Sequence, residues 1–153
     1  MKKIWAIAVS AMLLLGALSF AGCAQKDNPH GYDANIVVQS SHGDEWLFTP
    51  ETEEQTAEYE YTGEEIEFRV AKYQFKFEDK STVLYETWLK SGNDLRFYYD
   101  EYEYFGEDGT RQRFQREGAK YCAKDKGKYI FKFRTSGEGF MKYREFNLIL
   151  TVV

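Results

Sequence analysis

The chain has 153 residues, with 20 Lys and Arg against 25 Asp and Glu, for a net charge of −5. That balance argues against nucleic acid as a partner, since phosphates call for a basic surface. Two cysteines are too few for a disulfide framework, and two histidines leave little material for a triad or a structural zinc site.

The first 22 residues have the pattern of a secretory signal. Met1-Lys2-Lys3 is cationic, Ile4 to Leu18 is apolar apart from Ser10 and Gly16, and Ser19-Phe20-Ala21-Gly22 ends the stretch in mostly small residues before Cys23. The competing reading is an uncleaved anchor helix, because the apolar stretch approaches the roughly 18 residues that span a bilayer. Phe20-Ala21-Gly22-Cys23 resembles the lipobox of bacterial lipoproteins, with Phe in place of the usual Leu. The resemblance implies cleavage before Cys23, attachment of a diacylglycerol to its sulfur, and residence on the outer face of a membrane in the cell envelope. Acyl chains contribute about 0.8 kcal/mol per buried methylene, so two or three of them give a stable anchor. Ala24 after the cysteine points by the same resemblance toward an outer membrane, where the cell has one.

Residues 23–35 hold Gln25, Lys26, Asp27, Asn28, Pro29, His30 and Gly31 with no apolar period, as expected of a flexible tether. Residues 36–153 are expected to form one domain, as no repeat or second linker interrupts them. Ile66, Phe68 and Val70 alternate with polar residues, as do Tyr73, Phe75 and Phe77. Leu95, Phe97 and Tyr99 follow, then Tyr129, Phe131 and Phe133, and finally Phe146, Leu148, Leu150 and Val152. Period-two alternation with aromatic enrichment predicts half-buried strands. Ser91-Gly92-Asn93-Asp94, Gly106-Glu107-Asp108-Gly109 and Asp125-Lys126-Gly127 supply turns between them. The predicted fold is all-β, a single antiparallel, jelly-roll-like β-sandwich. Trp46 and Trp88 are assigned to its core.

From about Thr82 the order of residues resembles a GOLD domain. The counterparts are Trp88 in Thr87-Trp88-Leu89, the stretch Asp94-Leu95-Arg96-Phe97, the run Gly127 to Phe133, and the final strand Phe146 to Val153. Arg134-Thr135-Ser136 keeps the family's Ser but lacks its Asp or Asn, and a single thiol cannot supply the family's cysteine pair. The resemblance implies a non-catalytic sandwich that binds a protein or lipid partner.

Residues able to carry chemistry are sparse. His42-Gly43-Asp44 offers half of an acid–base pair without a recognisable nucleophile. Gly137-Glu138-Gly139-Phe140 is too short for a dinucleotide loop and reads as a turn, so no cofactor is expected. Cys122 is expected to be a small buried residue rather than a nucleophile. Asp100, Glu101, Glu103, Glu107 and Asp108 offer oxygen ligands near a glycine turn, but their spacing matches no calcium loop, and solvated strand charges explain them. No catalytic or metal residue is assigned.

Two features point to binding. Counting alternately along the strand near Phe97 places Tyr98, Asp100, Tyr102 and Tyr104 outward. Such a row could stack on sugar rings or anchor a protein, while cross-strand packing is the plainer explanation. Charge is also segregated: residues 27–68 carry 12 acids and no base, and residues 69–153 carry 17 bases and 13 acids. Either the acidic segment packs on the basic strands of its own domain, or it steers a cationic partner. The expected function is a lipid-anchored, non-enzymatic envelope protein with a binding face for a protein or lipid, or alternatively a carbohydrate-binding module using the tyrosine row.

Overall fold

The computed structural model describes residues 31–78, 81–91, 96–137 and 140–153. The signal segment, Cys23, His30, Leu95 and most of the Ser91–Asp94 turn lie outside the described residues, as does the middle of the 137–140 turn. The strands are β1 (Ala34–Ser40), β2 (Glu45–Phe48), β3 (Glu54–Tyr59), β4 (Ile66–Glu78), β5 (Val83–Tyr85) and β6 (Leu89–Lys90), then β7 (Phe97–Tyr99), β8 (Tyr102–Phe105), β9 (Arg111–Phe114), β10 (Tyr121–Ala123), β11 (Gly127–Thr135) and β12 (Glu145–Val152). One sheet has the order β10-β4-β1-β2, with β5 and β6 also pairing β4. The other has the order β3-β12-β11-β8-β9, with β7 also pairing β11. The described residues therefore form an all-β sandwich of two open sheets.

The alternation seen in the sequence becomes the inner faces of these sheets. Ile36, Val38, Phe48, Phe68, Val70 and Tyr121 come from the first sheet and meet Phe131, Phe133, Phe146, Leu148 and Leu150 from the second. Rings cross the gap: Tyr121 stacks on Phe131 at 5.0 Å between centroids, Phe68 lies 5.2 Å from Phe131, and Phe48 lies 4.8 Å from Phe146. Each such buried side chain contributes roughly 1.5–3 kcal/mol, which replaces the missing disulfides.

β3 and β12 run parallel, with Asn147 opposite Glu54 and Val152 opposite Tyr59. The other named strand pairs are antiparallel. The parallel pair arises because the chain leaves β2 on the first sheet and crosses at once to the second. Pro50 sits inside the crossing turn, which is closed by the Thr52 N–H donating to the Thr49 carbonyl at 3.0 Å. The sandwich also starts earlier than residue 36. Ala34 and Asn35 are buried in β1, and the Asn35 amide donates to Gln74 at 2.9 Å, so the first strand begins inside the stretch expected as a tether.

β4 joins two stretches that the sequence shows as separate alternations. Inward residues are even-numbered through Val70 and odd-numbered from Tyr73. The register makes the same step, since Val38 faces Val70 while Val37 faces Lys72, leaving Ala71 as a bulge residue. The inserted residue resets the parity, so both halves keep their apolar side on the core.

Candidate functional site: an aromatic cleft at β8, β9 and β11

The four residues expected in one outward row divide into two pairs. Tyr98 does point outward from β7, between buried Phe97 and Tyr99. The Arg134 guanidinium lies 4.9 Å from its ring centroid and donates to the Asp100 carboxylate at 2.9 Å. Beyond Asp100 the alternation inverts. Tyr99 faces Phe133 but Tyr104 faces Tyr129, a shift of one residue against the same strand. Tyr102 is thereby buried, and Tyr104 is turned partly onto the core. The outward row is corrected by this second bulge.

The tryptophans divide as well. Trp46 packs on the core, 5.8 Å from Phe68. Trp88 does not. It is 38% exposed, with the Lys72 ammonium 5.6 Å from its ring, and it leads into β6, both of whose residues are exposed.

The inversion builds a cleft. Tyr102 and Tyr104 from β8, Phe114 from β9 and Tyr129 from β11 wall a cavity of about 140 Å³, with Gln115, Glu117, Lys124 and Asp125 among its other lining residues. Tyr102 stacks on Phe114 at 5.5 Å, Tyr104 lies 6.0 Å from Phe114, and Tyr104 lies 4.7 Å from Tyr129. Backbone hydrogen bonds hold the phenols. Tyr104 donates to the Lys126 carbonyl at 2.5 Å and Tyr102 to that of Cys122 at 3.2 Å. The Tyr129 oxygen accepts from the Asp125 N–H at 2.9 Å and donates to the Asp125 carbonyl at 2.8 Å. Phe114 is 40% exposed and forms the open wall.

The charges around the cleft are paired. Lys124 bonds Glu117 at 2.9 Å and Glu65 at 3.2 Å. The lysine holds the Glu117 carboxyl below its usual range. Burial pushes the Tyr102 phenol up to about 12, and burial with the neighbouring carboxylates pushes the Cys122 thiol up to about 12. These groups keep one protonation state through neutral pH, so the arrangement suits stacking and hydrogen bonding to a ligand.

Ligating atoms of Glu65, Glu67 and Cys122 lie within 4.8 Å of one another. Their charge is already met by Lys124 on Glu65 and Lys120 on Glu67. The oxygen cluster near the glycine turn is likewise dispersed. Asp100 pairs with Arg134, Glu103 with Arg111 and Lys132, and Asp108 caps its own turn by accepting from the Thr110 N–H at 2.9 Å. His42 sits in the β1–β2 turn with its ring 5.6 Å from Tyr59. Asp44 accepts the Tyr59 hydroxyl.

Phe114 and Tyr129 complete the cleft but were not singled out as site residues from the sequence. Arg111-Gln112-Arg113-Phe114 has only one apolar residue, which gives no strand period to place it. A second depression of about 520 Å³, lined by Asp44, Glu45, Trp46, Ala57, Glu58 and Tyr59, opens beside β2 and β3. It too depends on a crossing that local sequence does not display.

No protein-family model, curated protein or solved structure matches this chain. Fold and site together define an all-β sandwich with an aromatic cleft at one side of its second sheet.

Proposed function

We propose that the chain is a bacterial lipoprotein, processed before Cys23 and anchored by that cysteine outside the cytoplasm. Its sandwich then serves as a non-catalytic binding domain for a protein or lipid partner. The observation that carries this reading is the run Phe20-Ala21-Gly22-Cys23 behind a cationic and then apolar start. Support for a binding role comes from the aromatic cleft, where rigid rings with partly open faces resemble the anchors found at recognition surfaces. The GOLD resemblance of the second half points the same way.

Mass spectrometry of the processed chain tests the anchor. A diacylated amino-terminal Cys23 is expected, together with release of the Cys23→Ala chain from the processed membrane-bound form. Retention of residues 1–22, or a free thiol at Cys23 in the mature chain, would sink the proposal.

A glycan is the second reading, favoured by one feature: exposed Phe114 and half-buried Tyr104 stand beside Gln115, Glu117 and Lys124, a stacking surface next to hydrogen-bonding groups. Glycan-array binding that disappears with Phe114→Ala would select it. Crosslinking of an envelope protein to the same wall would select the first.

A further inference from the structure

β5 has no buried side. Val83, Leu84 and Tyr85 are consecutive and 50%, 60% and 43% exposed. A strand sends successive side chains to opposite faces, so three exposed apolar neighbours leave both faces of this arm uncovered. The arm is nevertheless braced to the core. A ladder of rings runs from Phe97 to Tyr73 at 5.1 Å, to Phe75 at 5.6 Å, to Phe77 at 6.3 Å and to Tyr32 at 4.6 Å. Leu84 pairs directly with Phe77. Phe140, 73% exposed, is tied to the same place by the Tyr32 N–H donating to its carbonyl at 2.7 Å.

What covers this patch follows from where the chain reaches the sandwich. Only seven residues separate Cys23 from Gly31, eight steps of chain with a reach of at most about 28 Å, and the next residue, Tyr32, belongs to the patch itself. Lipid on Cys23, the reading on which this inference rests, keeps this end of the sandwich next to a bilayer. The side chains suit that neighbour. Val83, Leu84 and Phe140 are purely apolar, while Tyr32 and Tyr85 join an apolar ring to a polar atom, the kind of residue favoured at headgroup level.

We propose that the β4–β5 arm, with Tyr32 and Phe140, docks onto the lipid surface that holds Cys23. Val83 and Leu84 enter the upper acyl region and the amphipathic rings rest among headgroups. Lys72 is paired with Glu45, and Lys76 with Glu51 and Glu78. The contact is therefore mainly apolar, forms on neutral phosphatidylcholine and changes little with salt.

The test uses the full chain, processed in a bacterial host and reconstituted into phosphatidylcholine vesicles, with a polarity-sensitive fluorophore on Leu84→Cys. The parent chain is the blank, because acylated Cys23 has no thiol and Cys122 is buried. Glu64→Cys, next to the opposite end of β4, is the reference. The dye at position 84 is expected to shift to the blue and lose most of its emission to spin-labelled lipid, while the dye at position 64 does neither. Adding Val83→Ser is expected to weaken the quenching several-fold. Solvent-like emission at position 84 from protein that still sediments with vesicles overturns the docking and leaves lipidation standing. Label on Cys23 of the parent overturns the anchor, and the docking with it. A photocrosslinker at position 84 that captures an envelope protein instead of lipid also overturns the docking.

Discussion

The rings of Tyr99 and Tyr121 meet edge to face with centroids 5.4 Å apart, and each sends its hydroxyl into the backbone of the opposite sheet. The Tyr99 oxygen accepts the Val70 N–H at 2.9 Å, beside the Ala71 bulge of the first sheet. The Tyr121 hydroxyl reaches the carbonyls of Asp100 and Lys132, at the register step of the second. A bulge interrupts ladder bonding, and each sheet supplies the tyrosine that attends to the other's irregularity.

Tyr99→Phe and Tyr121→Phe test this exchange with little change of volume. Each is expected to lower stability by about 1–3 kcal/mol, the usual effect of leaving a buried backbone group unpaired. Urea unfolding of both single variants and of the double variant measures it. Changes within experimental error would mean that the bulges are satisfied without these hydroxyls.

Stability is expected to fall on the alkaline side. Burial, reinforced by the Asp44 hydrogen bond, pushes Tyr59 up to about 12. Burial alone is the main cause for Tyr102, also at about 12, and burial with nearby carboxylates does the same for Cys122. In the unfolded chain these groups ionise near 10 for tyrosine and 9 for cysteine. Folded pKa values above unfolded ones give stability that is present below the unfolded values and lost as pH climbs toward the folded ones. Urea midpoints should therefore decline between about pH 9 and 12, with ultraviolet tyrosinate absorbance appearing late. A flat profile there would contradict the burial of these hydroxyls.

The cleft and the core can be separated by mutation. Phe114→Ala and Tyr104→Ala are expected to abolish ligand capture while leaving the fold in place, because both rings are partly exposed. Tyr102→Ala should cost about 3–5 kcal/mol, as for other buried aromatics. Tyr98→Ala, on the outer face under Arg134, should leave capture unchanged. Paired binding and melting measurements give the four results, and a binding loss at Tyr98 would move the site to the outer face.

Gly127 has φ +137°, and a Cβ there would stand 2.3 Å from the Phe105 carbonyl oxygen and 2.8 Å from the Tyr104 ring. Gly127→Ala is expected to cost at least about 1–3 kcal/mol of backbone strain and to displace the Tyr104 wall. Thermal melts and the near-ultraviolet circular dichroism of the tyrosines report both effects.

The fold class was legible because alternation survives wherever a strand has one face on the core, as in Phe146, Leu148, Leu150 and Val152. The site was only half legible. Tyr102 and Tyr104 were recognised as important, yet counting in twos from Phe97 put them on the wrong face, since a bulge changes parity without any marker such as Gly or Pro. The earlier parity change between Val70 and Tyr73 was visible in the sequence, but reads equally well as two strands. Trp88 was misplaced for another reason: an apolar residue beside a short exposed strand has the same local composition as one in the core. Pairing across the whole chain decides these cases. Of the two readings of the acidic segment, packing on its own domain accounts for three of its carboxylates, paired in Glu45–Lys72, Glu65–Lys124 and Glu67–Lys120.

The parallel pairing of β3 with β12 has a consequence for assembly. Glu54 finds its partner Asn147 only 93 residues later in the chain, and contacts of such separation slow folding. During synthesis β3 exists as an unmatched edge long before its neighbour is made. Glu54 and Glu58 on that strand, with Glu53 and Glu60 flanking it, repel other chains that would otherwise add to it. Acidity in this stretch thus acts as a guard on an unfinished sheet, which is most valuable while the polypeptide is still incomplete.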